Sequence, residues 1–252
     1  MKLGMPTLLA IESIEDNILF ANSLGLDFIE LNLNFPYVEN EIKNTKKIKD
    51  LLCKANLFST LHFYDEADFG LNDYISKAYL KILKKYIKIA HKIGAKSINL
   101  HLNLGRYTTL AGKKEYNYNY FYDDYIARFK KYYARACKYG NKYNVILTLE
   151  NLKGEAFILK TLNELKGAYL TYDIGHDYTD DSRLKAYYFE TPLYEMHFHD
   201  AKAKTPHLAI GKGDMPLKAY FDLIKDDTLA VIEVKTRDDL ISSVKAVKEW
   251  IK

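Results

Sequence analysis

Seven short apolar runs in the chain end in a carboxylate, an imidazole or both. They are Phe28-Ile29-Glu30-Leu31-Asn32, Thr60-Leu61-His62, Asn99-Leu100-His101-Leu102-Asn103, Thr148-Leu149-Glu150-Asn151, Thr171-Tyr172-Asp173-Ile174-Gly175-His176, Glu195-Met196-His197-Phe198-His199-Asp200 and Ile232-Glu233-Val234-Lys235. Polar residues keep to one parity: Asn99, His101 and Asn103; Thr148 and Glu150; Thr171 and Asp173; Glu195, His197 and His199. Leu100, Leu102, Leu149, Tyr172, Met196 and Phe198 take the other. Successive side chains of an extended strand point to opposite faces, so one face packs on apolar neighbours and the other gathers ionisable groups. Burying such groups without partners costs several kcal/mol each. A divalent cation compensates them, because carboxylates and neutral imidazoles are its ordinary ligands and three or four converge on one ion. Histidine placement agrees: of 7 histidines, His62, His101, His197 and His199 stand at strand ends, His176 and His207 lie just beyond, and only His91 falls within a helical pattern.

The elements that must position these groups alternate along the chain. Strands are expected at Lys2–Pro6, Phe28–Leu33, Phe58–Phe63, Ser97–Leu102, Val145–Glu150, Ala168–Asp173, Leu193–Phe198 and Leu229–Val234, with helix-compatible segments between them. Ser13 is placed to cap a helix that runs to Leu24 and stops at Gly25. Ile75, Ala78, Tyr79, Ile82, Leu83, Tyr86, Ile87 and Ala90 mark a long amphipathic helix ending at Gly94, its outer face rich in lysine. Eight strands joined by helices predict a single (β/α)8 barrel domain over residues 1–252, working at the C-terminal ends of its strands. The Tyr-rich segment 107–133 reads as a long loop running into a helix, either a lid over the barrel mouth or aromatic packing.

Composition sets the outer bounds. The chain has 252 residues, 48% of them hydrophobic, enough to bury a large core. Its 37 Lys+Arg against 33 Asp+Glu leave only +4, spread out, which falls short of a nucleic-acid-binding patch. No apolar run is long enough to span a membrane and no secretory signal opens the chain, so a cytoplasmic protein is expected. Cys53 and Cys137 lack metal-site or disulfide spacing, and no GxGxxG or GxxxxGK[ST] follows a strand. The 22 Tyr would either cover a homo-oligomer interface or fill the layers between helices and barrel.

The motifs TLEN (Thr148–Asn151), YDIGH (Tyr172–His176), HFHD (His197–Asp200), HLAIGKG (His207–Gly213) and IEV (Ile232–Val234) resemble those of the xylose isomerase-like TIM-barrel superfamily. That group includes sugar isomerases, epimerases and metal-dependent apurinic/apyrimidinic endonucleases. The epimerase-like resemblance implies one Mn, Mg or Co ion held by Glu150, Asp173, His197 and Glu233. It also implies a sugar or sugar-like substrate, with Glu150 and Glu233 moving a proton next to a carbonyl through a metal-stabilised enediolate. His176 would contact substrate, Glu30, His62 and His101 would line the pocket, and Lys212 is among the lysines standing in for a missing arginine. The endonuclease-like resemblance implies zinc, with His62, His101, Glu150, Asp173, His176, His197, His207 and Glu233 matching. Thr205 replaces one carboxylate of that pattern and Lys212 replaces a glutamate. A sugar-binding barrel without turnover is the third expectation.

Overall fold

The computed structural model describes residues 1–225 and 227–251. Among the described residues twelve strands follow in chain order: β1 (Lys2–Pro6), β2 (Phe28–Asn32), β3 (Phe58–His62), β4 (Ser97–His101), β5 (Tyr107–Leu110), β6 (Lys113–Tyr116), β7 (Ile146–Glu150), β8 (Tyr169–Asp173), β9 (Glu195–Phe198), β10 (Asp200–Lys202), β11 (Thr205–Leu208) and β12 (Leu229–Ile232). Eight of these pair in parallel and close in the order β1, β2, β3, β4, β7, β8, β9, β12 and back to β1. Helices cross between them, as in a (β/α)8 barrel, and all eight expected strands form within two residues of their expected ends.

Local chemistry explains the main helices. The Ser13 hydroxyl accepts the backbone N–H of Asp16 at 3.0 Å and starts helix Ile14–Ser23, and Gly25 follows with φ +61°. Asn72 caps helix Asp73–Ile93 by accepting from the backbone N–H groups of Tyr74 and Ile75, both at 3.1 Å. Gly94 ends it at φ +80°, a conformation that a Cβ would strain. Leu80, Leu83, Tyr86, Ile87, Ala90 and Ile93 of this helix are buried against the barrel.

The N-terminal end of the barrel is plugged by Phe28, Leu229 and Val231, with Phe58 stacked on Phe28 at 5.0 Å between ring centroids. Gly4 leaves room for the Phe28 ring, which a Cβ there would overlap. Closing that end leaves the opposite one as the mouth.

The Tyr-rich segment differs from the expected loop. Two short antiparallel strands, β5 and β6, form a hairpin, turned by Ala111 and Gly112 with φ +49° and +79°. Helix Tyr122–Lys142 follows, burying Tyr122, Tyr125, Tyr132 and Tyr133. No residue of the hairpin borders the mouth cavity described below, and the tyrosines behind it are packing residues. Elsewhere Tyr86, Tyr172, Tyr188 and Tyr220 are fully buried, so many of the tyrosines fill the layer between barrel and helices. No helix among the described residues is long and apolar enough to cross a membrane.

Candidate functional site

The strand ends converge as the alternation requires. Ligand atoms of Glu150, Asp173, His197 and Glu233 lie within 4.8 Å of one another. His197 is the hub. Its Nδ1 stands 3.0 Å from Glu233 Oε2, 3.3 Å from Glu150 Oε1 and 4.0 Å from Asp173 Oδ2. Yet neither ring nitrogen of His197, nor Glu233 Oε2, has a hydrogen-bond partner among the described residues, although all three atoms are buried. Close polar atoms that face one point without bonding each other are what a set of metal ligands presents.

Two further groups join this set at its edges. His62 Nε2 and His101 Nε2 approach the other Glu150 oxygen, Oε2, at 3.3 and 3.5 Å, forming a second trio of candidate ligands. On the opposite side Asp173, His199, His207 and Glu233 form another group within the same 4.8 Å limit. His176 Nδ1 lies 3.4 Å from Asp173 Oδ2, and His207 Nδ1 lies 3.7 Å from Glu233 Oε2.

Electrostatics shows how strongly the carboxylates call for positive charge. Burial opposes ionisation of Glu150, but the His197, His101 and His62 imidazoles outweigh it and hold the carboxyl well below its usual range. Burial likewise opposes ionisation of Glu233, and His207 and His197 hold it well below. Burial disfavours a charged His197, yet Glu150, Glu30 and Glu233 draw its pKa well above the ordinary imidazole value. His62 is drawn up to about 10 against its own burial, chiefly by Glu150. His101 and His207 shift down because burial dominates there. A cation placed there would therefore compete with protons for the same carboxylates.

Surrounding hydrogen bonds fix these side chains. Inside the barrel the Thr171 hydroxyl donates to Thr148 Oγ1 at 2.9 Å, Thr148 donates to Asn99 Oδ1 at 3.0 Å, and Asn99 Nδ2 donates to Glu150 Oε2. Asp173 Oδ1 accepts the backbone N–H of His176 at 2.6 Å and faces His199 Nε2 at 3.1 Å. His199 Nδ1 in turn accepts the backbone N–H of His207 at 2.8 Å, so this ring ties β8 to strand β11, which carries His207. Gly175 allows the arrangement, since a Cβ there would overlap the His199 ring. His207 itself sits at φ +60°, strained for a non-glycine residue.

A cavity of about 450 Å³ opens above these groups. His62, His101, Glu150, His176, His207 and Glu233 form its floor, while Leu8, Leu9, Asn32, Phe35, Asp65 and Lys235 form its walls. Two expected residues take other places. Glu30 is fully buried beneath His197 and does not border the cavity, so it cannot touch a sugar there. Its register explains this: Glu30 pairs with Thr60 while Asn32 pairs with His62, which puts Glu30 one pleat below the mouth. Lys212 is exposed and also lies outside the cavity, because Gly211 and Gly213 on either side donate their backbone N–H groups to Asp200 Oδ2, at 3.0 and 2.9 Å. Lys235 and Asp65 do border it. Lys235 shares the strand parity of Glu233, a signal available in the sequence, whereas Asp65 lies on a loop whose course no periodicity gives.

No curated protein matches this amino-acid sequence. Among solved structures, a D-tagatose 3-epimerase-like protein superposes with a TM-score of 0.80 at 17% identity, covering 100% of this chain and 97% of that one. The 3-keto-D-glucoside 4-epimerase YcjR from E. coli gives 0.75 at 15%, covering 99% and 98%. An IolI protein with a bound zinc atom gives 0.74 at 12%, covering 98% and 94%. At these identities the likeness is one of fold. Residues 18–252 match the family described as xylose isomerase-like TIM barrel, and the chain belongs to that family.

Proposed function

We propose that the protein is a divalent-metal-dependent isomerase or epimerase acting on a small sugar or sugar-like ketone. The observation that carries this reading is the unbonded convergence of His197 Nδ1 and Glu233 Oε2, 3.0 Å apart, with Glu150 and Asp173 around them. This donor set of three carboxylates and one imidazole fits Mn²⁺, Mg²⁺ or Co²⁺. When bound, such an ion supplies Lewis acidity to neighbouring hydroxyl and carbonyl oxygens of a substrate. Glu150 and Glu233 act as general base and general acid, one removing the proton next to the carbonyl and the other returning it. His62, His101, His176 and His207, on the cavity floor, hold the hydroxyl groups. The cavity matches a monosaccharide-sized ligand, and the fold is shared with proteins described as epimerases of ketoses and of a ketoglucoside. The test is solvent deuterium uptake into a panel of ketoses: exchange at the carbon next to the carbonyl, dependent on a divalent ion, is the expected result. Absence of exchange from the whole panel with metal-loaded protein counts against it.

One observation favours a second reading, zinc-dependent phosphodiester hydrolysis: the trio of His62, His101 and Glu150 beside the main set offers room for another ion. Incision of an abasic-site duplex by zinc-loaded protein, without ketose exchange, would select it.

A further inference from the structure

The proton-transfer reading leaves one buried cluster unused. Glu30 on β2 and Glu195 on β9 lie inside the barrel, under the metal-facing side chains, and their carboxylates come within 4.8 Å of His197 and of each other. Both are essentially inaccessible to solvent. Thr60 and Ser97 hydroxyls reach Glu195 at 3.5 Å each, while Glu30 Oε2 has no hydrogen-bond partner among the described residues. A carboxylate buried at this depth is retained at a cost, so its placement calls for a partner.

His197 supplies that partner through its second nitrogen. Nδ1 faces Glu150, Asp173 and Glu233, whereas Nε2 faces Glu30 Oε1 at 3.6 Å. A neutral imidazole carries one N–H, and the nitrogen that keeps it is set by the acceptor it finds. We infer that Glu30 is a positioning residue: its carboxylate accepts a hydrogen bond from the Nε2–H of His197, which keeps the proton on Nε2 and so turns the Nδ1 lone pair toward Glu150, Asp173 and Glu233. At 3.6 Å the separation is a few tenths of an ångström longer than a good N–H···O bond, so the inference requires the two groups to approach when the site is filled. Glu195, held by Thr60 and Ser97, backs Glu30 and limits its movement. The arrangement is a carboxylate–histidine–metal relay running down the barrel axis, which typically governs affinity and ligand orientation. It rests on the proposed metal reading but not on any particular substrate.

Two experiments test it without relying on turnover. In long-range ¹H–¹⁵N spectra of zinc-loaded wild-type protein, His197 is expected to show Nε2 protonated and Nδ1 ligated; Nε2 ligated would overturn the inference. In chelator competition with Co²⁺, Glu30→Leu is expected to bind about 10–100-fold more weakly than wild type and to alter the visible Co²⁺ spectrum. Glu30→Gln, whose amide oxygen still accepts a hydrogen bond, should recover part of the affinity. Wild-type affinity and spectrum in a folded Glu30→Leu would overturn the inference while leaving the metal reading intact. Failure of wild-type protein to bind Co²⁺ at all would overturn both, and if Glu30→Leu does not fold, the wild-type spectrum decides.

Discussion

Two sets of carboxylates in this molecule are differently employed: Asp200, Asp177 and Asp68 are buried away from the mouth, while at the mouth Glu150 and Asp173 are buried and the Glu233 side chain is 22% exposed. Asp200 accepts four backbone N–H groups, from Ala201 at 2.8 Å, Gly211 at 3.0 Å, Gly213 at 2.9 Å and Met215 at 3.3 Å. Asp177 accepts the Tyr172 hydroxyl at 2.7 Å and the Leu184 N–H at 2.8 Å. Asp68 accepts the Tyr118 hydroxyl and the Gly70 N–H, both at 2.7 Å. These three are saturated, and they hold loops. At the mouth, Glu233 and His197 are as close as bonded atoms yet leave buried polar atoms unpaired. Burial and charge do not separate structure from site here; completeness of hydrogen bonding does.

The largest expected effect falls on activity. Glu150→Gln should lower ketose exchange by about 10²–10⁴-fold, the usual value of a positioned acid or base, and should cost less thermal stability than any loss at Asp200. Exchange assays paired with thermal melts check both halves; a Glu150→Gln protein that unfolds but keeps its exchange rate would invert the comparison. Asp200→Ala should do the reverse. Four backbone donors would lose a charged acceptor, a destabilisation of about 3 kcal/mol, or roughly a 6–12 °C fall in Tm for a chain of this size. Part of the activity should go with it, because Asp200 pairs with strand β11, which carries His207.

Smaller effects sharpen the same contrast. Tyr118→Phe removes one hydrogen bond from Asp68 and should cost about 1–2 kcal/mol in denaturant unfolding, with ketose exchange unchanged. Its neutrality in stability would contradict a stabilising role for the Tyr118–Asp68 hydrogen bond. The smallest effect is a pH dependence. Burial raises the Asp68 carboxyl above its ordinary value, and the Tyr118, Gly70 and Arg128 contacts only partly offset this. A folded pKa above the unfolded one means that the contribution is fully present below the unfolded value and is lost as pH rises through the folded value. Unfolding curves of wild type and Asp68→Asn across the acid range should therefore diverge, with the variant gaining relative stability as pH increases.

How much of this was legible in the sequence follows from particular residues. Glu150, Asp173, His197 and Glu233 were readable because each ends an apolar run on the inward parity, and parity is local. Glu30 has the same inward parity, and its different place comes from stagger: Glu30 lies level with Thr60, and Glu195 with Thr171, one pleat below the mouth. Strand stagger is set by pairing between distant segments, which a single sequence does not express. The HFHD and IGKG motifs were visible as motifs, but half of their content is architectural. Asp200 binds the glycine N–H groups around Lys212, and Gly213 has no space for a side chain beside Ala201 and Asp200. The β5–β6 hairpin was hidden for another reason. Strand β5 is exposed along its whole length and most of β6 is solvent-facing, so no apolar alternation marks either, and only the Ala111-Gly112 turn signals the pair.

The central claim is that the unsaturated set at the barrel mouth is a cation site. Calorimetric titration of chelator-stripped protein with Mn²⁺ and Co²⁺, repeated on Asp173→Asn, tests it most directly. At least one ion should bind each wild-type chain and raise Tm, by about 2.7 kcal/mol of stabilisation at a hundredfold excess over Kd, with binding lost in Asp173→Asn. Folded wild-type protein that takes up neither ion, nor zinc, would contradict the account.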